Sequence, residues 1–123
     1  MEIRTHKDLL VWQKSIDLVC AVYSLLKQYP KEELFAMSNQ IRRCVVSIPA
    51  NIAEGCGRRS KAELSQFLHI ALGSASELET FFIISKRLNY ITDQEYNDLN
   101  SSLLEIIKMI SGLVRNLQAT RNL

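Results

Sequence analysis

Between residues 34 and 58 the apolar positions recur with a helical period. At about 100° per residue, Leu34, Met37, Ile41, Val45, Ile48, Ile52 and Cys56 share one face, and Gln40, Arg43, Ser47, Asn51, Glu54 and Arg58 share the opposite one. Pro49 interrupts this pattern. It lacks an amide donor and crowds the carbonyl of Val45, which costs about 3 kcal/mol in a plain helix interior. The helix must therefore kink or break there. The apolar stripe keeps its phase across Pro49, which predicts one kinked helix ended by Gly55 and Gly57.

Three further stretches carry the same period. Leu9, Trp12, Ile16, Val19, Tyr23 and Leu26 line a first helix that Asp8 is placed to cap and Tyr29-Pro30 ends. Leu64, Phe67, Leu68, Ala71, Ala75, Leu78 and Phe82 line a third, opened by the capping-box pattern Ser60-Lys61-Ala62-Glu63. Tyr96, Leu99, Leu103, Ile106, Ile110, Leu113 and Leu117 line a fourth, opened by Thr92-Asp93-Gln94-Glu95, and residues 118–123 are expected to fray. The pattern predicts helices over 8–29, 32–57, 61–89 and 93–119, joined by short turns. That is an all-α, up-down-up-down antiparallel, left-handed four-helix bundle in a single domain, 1–123. Gly112, inside the fourth helix, suggests close packing.

The third helix has a second stripe: Ile70, Gly73, Glu77, Phe81, Ile84 and Leu88. A helix apolar on two sides is buried on two sides. In a bundle this small the second side is either an oligomer interface or an extension of one wide core face. The polar stripe of the second helix also has two readings. It is a wetted face with one Glu54–Arg58 helical ion pair, or a hydrogen-bonded layer of Ser47, Asn51, Glu54 and Glu77 against another helix or subunit. In the layer reading Glu77, if desolvated, takes Arg43 or Arg58 as its charge partner.

Composition narrows the function. At 123 residues, with 23% charged and 47% hydrophobic residues, the chain is an ordinary globular domain. Neither a secretory signal pattern nor an apolar run of bilayer-spanning length is read from it, so no membrane partner is expected and the cytoplasm is the default. Cys20, Cys44 and Cys56 are odd in number, form no CxxC pair and read as small buried apolar residues. The net charge is only +2 but uneven. Residues 1–61 hold ten Lys and Arg against six Asp and Glu, and residues 62–123 hold five against seven. In 38–61, Arg42, Arg43, Arg58, Arg59 and Lys61 face only Glu54. This is a modest basic surface suited to a polyanion.

Catalytic chemistry is not apparent. His6 and His69 are isolated, His69 reading as a partly buried structural residue, so no metal or other cofactor is expected. Ser47 and Ser74 have no His at helical spacing, and no phosphate-loop glycine fingerprint occurs. Trp12, Phe67, Phe81 and Phe82 read as core or interface, so contact with RNA or DNA would run through phosphates.

The run Gln40-Ile41-Arg42-Arg43, then Ser47 through Gly55 and Arg58, strongly resembles the 23S rRNA intervening-sequence protein family. Asp8 through Gln13, Phe67 through Ser74 and Glu77-Leu78-Glu79 resemble the same family. The resemblance implies a bacterial four-helix bundle that assembles into homo-oligomeric rings, typically pentamers, and is often encoded within large-subunit rRNA genes. A relative, the accessory variability protein of diversity-generating retroelements, implies nucleic acid and a reverse transcriptase as partners. Two functions are then expected of this non-enzymatic chain. The first is a nucleic-acid-associated adaptor contacting phosphates through Arg42, Arg43, Arg58, Arg59 and Lys61. The second is a protein-interaction scaffold in which those residues are structural.

Overall fold

The computed structural model describes residues 5–121, with side chains through Ala119. Its helices are α1 (Leu10–Leu26), α2 (Met37–Cys56), α3 (Lys61–Arg87) and α4 (Asp93–Arg121). Short 3-10 turns, His6–Asp8 and Lys31–Glu33, precede α1 and α2, and no strand occurs among the described residues. α2 packs on α1 and α3, and α4 packs on α3 and α1, while the backbones of the diagonal pairs stay apart. The protein is an all-α four-helix bundle. α2 runs as one helix through Pro49, so the alternative of two separate helices does not hold.

The core follows three of the four expected stripes. Ile41, Val45, Ile48 and Ile52 of α2 are buried, as are Leu68, Ala71, Ala75, Leu78 and Phe82 of α3 and Leu99, Leu103, Ile106 and Ile110 of α4. Each large side chain fully buried contributes about 1.5–3 kcal/mol. On α1 the stripe is rotated by one position: Val11, Ser15, Leu18, Val22 and Leu26 face inward, whereas Tyr23 is exposed. Ser15 is tolerated in the core because its hydroxyl donates to the Trp12 carbonyl at 2.8 Å.

The helix ends account for the remaining differences in boundary. Asp8 does not cap α1; it closes a capping box with Thr5 around the preceding 3-10 turn, and Leu9 holds the N-cap position. α2 starts five residues later than expected, because Lys31–Glu33 forms its own turn and Ala36 leaves the helical region at φ −121°, ψ −106°. This leaves Leu34 exposed and Phe35 almost wholly so. At α3, Ser60 accepts from the Glu63 amide at 3.1 Å, and at α4 Thr92 and Glu95 complete a reciprocal capping box. Just beyond α3 and its C-cap Leu88, Asn89 turns the chain at φ 61°, with the Tyr90 amide donating to Ser85 O and the Asn89 amide to Lys86 O. Asn is among the few non-glycine residues that accept this left-handed position. The turn brings Tyr90 against the ring of Tyr29, whose hydroxyl donates to Ser85 Oγ at 2.6 Å and ties the end of α1 to α3. α4 continues to Arg121; the rest of the expected fraying, at 122–123, lies outside the described residues.

The glycines differ sharply. A Cβ on Gly55 would lie 2.9 Å from Leu64 Cδ1 and 3.0 Å from Phe67 Cβ, so its bareness lets α2 and α3 approach. Gly55 lies inside α2 and Gly57 alone caps it, in the right-handed region. Gly73 has open space around it, and Gly112 would meet only the Arg115 side chain at 3.8 Å, so Gly112 does not mark close packing within the chain. Cys44 is buried and Cys56 half-buried, but Cys20 is exposed, because the rotation of α1 turns it outward. α3 also departs from expectation in that an 18-residue window reaches a mean hydropathy of 1.3, enough in length and composition to cross a membrane. Only 28% of that window is buried in the bundle, since its second stripe has no helix over it.

Candidate interaction surface

α2 and α3 lie side by side and build the surface from both. Along their seam, Ser47 Oγ and Ser74 Oγ are 2.7 Å apart. Asn51 Nδ2 donates to both the Ser47 carbonyl and hydroxyl at 2.8 Å, and Cys44 Sγ donates to the Ser74 carbonyl at 3.4 Å. Ser47 and Asn51 therefore meet, one α-turn apart, and Ser74 joins them from α3. The sequence pattern gives the Ser74 hydroxyl no base; it matters here because α2 places Ser47 opposite. Burial pushes the Cys44 thiol up to about 12, with the charge and hydrogen bonding of Glu77 adding to the rise. This thiol stays protonated at neutral pH and is a poor nucleophile.

Glu54 and Glu77 sit differently from Ser47 and Asn51. Glu54 is exposed and takes Arg58 Nη2 at 2.5 Å, one helical turn away. Glu77 is exposed beside Cys44 and makes no ion pair among the described residues; Arg58 is already held by Glu54 and, at 3.9 Å, by Glu63. Within one chain the Ser47 hydroxyl, the Asn51 amide and the two carboxylates thus do not close into a single layer.

On the outward side of α3, Ile70 is 45%, Ile84 38% and Leu88 50% exposed. Gly73 between them is open, and Phe81 is half-buried against the core. Val46 of α2 and Ile83 of α3 are exposed too. The exposed apolar residues of this side fall in two groups, Ile70 toward the start of α3 and Ile84 and Leu88 toward its end, with the exposed Glu77 between them. His69 is also exposed, not partly buried, with its Nδ1 2.8 Å from the Ser65 carbonyl.

The five basic residues do not form one patch. Arg42 and Arg43 lie in the first turns of α2, roughly 20 Å along the helix from its far end, beyond which Arg58, Arg59 and Lys61 follow. Arg42 lies over the Tyr23 ring at 5.9 Å, toward α1, while Arg43 is exposed. Arg58 is committed inside the chain: two carboxylates hold it, and its guanidinium lies 4.9 Å from the Phe67 ring centre. Arg43, Arg59 and Lys61 are exposed, and among the described residues none meets a carboxylate. No group of three or more His, Cys, Asp or Glu side chains among the described residues is arranged to hold a metal.

The comparisons agree with this architecture. The family model described as 23S rRNA-intervening sequence protein matches residues 7–112. A crystal structure of a protein of unknown function from the S23 ribosomal protein family of Bacteroides thetaiotaomicron VPI-5482 is 34% identical, with a TM-score of 0.80. The match covers 86% of this chain and 96% of that one. No curated protein matches the chain.

Proposed function

The chain belongs to the 23S rRNA-intervening sequence protein family, and from that premise we propose that it is a non-catalytic, oligomeric adaptor that contacts nucleic acid through phosphates. In this reading the bundle is up-down-up-down, antiparallel and left-handed, and α2 bends at Pro49. Copies join through the outer stripe of α3, around Ile70, Gly73, Phe81, Ile84 and Leu88, into a closed ring, pentameric by likeness to the family, in the cytoplasm. The observation that carries the reading is uncommitted charge: Arg43, Arg59 and Lys61 stand exposed with no carboxylate against them among the described residues. Repetition of such a weak basic surface around a ring supplies avidity that one copy lacks.

A second reading is supported by Arg58. Its pairing with Glu54 and Glu63 and its stacking on Phe67 give it a structural use, as expected of a protein-interaction scaffold whose partner is another protein, such as a reverse transcriptase. Binding of single-stranded RNA across a salt series separates the two. The adaptor binds at low salt and loses log affinity linearly with log salt, with a slope of about −0.7 per phosphate contact. Absence of binding at low salt removes the adaptor reading and leaves the scaffold.

A further inference from the structure

A cleft of about 200 Å³ lies where the end of α1, the turn after it and the first turns of α2 converge. Lys27, Lys31 and Arg42 line it together with Tyr23, Leu34 and Ser38, and no carboxylate does. Glu32 and Glu33, next along the chain, are not among the residues that line it. The three cations come from three separate segments, so their convergence is a product of the fold; only Arg42 stood out as basic in the sequence. Arg42 already rests over the Tyr23 ring. Ser38 is 2% exposed and places a hydroxyl-bearing residue in the wall. One residue from Leu34, at the edge of this cleft, Phe35 is 92% exposed.

Cations with an aromatic ring free on both faces are the parts that hold single-stranded nucleic acid: charge follows the backbone and a base stacks on the ring. We infer that this cleft and Phe35 bind single-stranded RNA or DNA, a phosphate sitting among Lys27, Lys31 and Arg42 and a neighbouring base on Phe35. The inference rests on the adaptor reading above and places the principal contact at the opposite end of α2 from Arg59 and Lys61. An aromatic platform distinguishes it from a purely electrostatic surface, because duplex bases are not free to stack on it.

The test uses the full chain, a short fluorescein-labelled oligouridine, and a blunt RNA duplex of the same length. Two double variants are compared, Lys27→Gln/Lys31→Gln and Arg59→Gln/Lys61→Gln, together with Phe35→Ala, with the sedimentation of each matched to wild type. Loss of the two lysines should flatten the salt slope by about 1.4, two single-strand contacts. Phe35→Ala should weaken oligouridine binding about five-fold or more and leave the duplex nearly unaffected. If Lys27→Gln/Lys31→Gln leaves the slope unchanged while Arg59→Gln/Lys61→Gln flattens it, the cleft is not the site and the adaptor reading stands. If Phe35→Ala weakens both probes equally, or dissociates the assembly, the stacking role is overturned. If wild type binds neither probe at low salt, the cleft and the adaptor reading fall together.

Discussion

α3 carries two apolar stripes, and the bundle treats them oppositely. Leu68, Ala71, Ala75, Leu78 and Phe82 are closed off between α2 and α4, whereas Ile70, Ile84 and Leu88 face outward around an open Gly73. Both stripes have the same helical spacing, so periodicity marks each as a surface to be buried without saying what buries it. The inner stripe is completed by the chain itself. The outer one is left open, with the exposed Glu77 in its middle and a seam of short hydroxyls, Ser47 and Ser74, beside it. The difference teaches that an excess of apolar pattern over what one chain can cover is information about assembly.

The largest effect should come from the inner stripe. Phe82→Ala removes a fully buried ring and should lower stability by about 3–5 kcal/mol, read from urea unfolding. A loss below 1 kcal/mol would mean the inner stripe is not closed as described. The two glycines sharpen the contrast. Gly55→Val forces a branched side chain against Leu64 and Phe67 and should cost about 1–3 kcal/mol. Gly73→Ala meets nothing within 4 Å in the chain and should raise the stability of a protomer by about 0.5–1 kcal/mol, from helix propensity. If a second copy packs over Gly73, the same change weakens assembly while the protomer gains stability; unfolding and sedimentation together separate these effects.

The pattern of α3 and α4 was legible because their stripes, Leu68 to Phe82 and Leu99 to Ile110, are apolar without exception on one face. α1 was misread by one position for a physical reason. Its inward face contains Ser15, which satisfies its own hydroxyl within the turn, while large residues such as Tyr23 sit outside it. A binary pattern ranks Tyr above Ser for burial and rotates the helix accordingly. Arg58 was legible as half of a helical pair with Glu54, but its contacts with Glu63 and Phe67 depend on how α3 leaves the turn. The convergence of Lys27, Lys31 and Arg42 was hidden for the same reason: it exists only once α1 and α2 are laid together. Phe35 gave no signal, since inside the helix expected over 32–57 it falls on neither the apolar nor the polar stripe.

A smaller effect is expected at the polar stripe. Glu54 and Arg58 are both about half exposed, and such pairs are worth only about 0.3–0.5 kcal/mol. Glu54→Ala should therefore change the unfolding free energy of the isolated protomer by no more than that. A loss of several kcal/mol in the assembled protein would show that a neighbouring copy desolvates the pair and completes the layer that one chain leaves open.

The central claim is that the outer stripe of α3 is covered by another copy of the chain. Sedimentation equilibrium of the wild type and of Ile84→Glu tests it directly. Ile84 is partly exposed and lies outside the core cluster, so the substitution leaves the protomer folded, with unchanged helical circular dichroism. The account predicts an oligomer for the wild type at micromolar concentration and dissociation toward monomer for Ile84→Glu, because the new carboxylate is unpaired in an apolar interface. A wild-type protein that sediments as a monomer, or an Ile84→Glu variant that assembles as tightly as wild type, would contradict it.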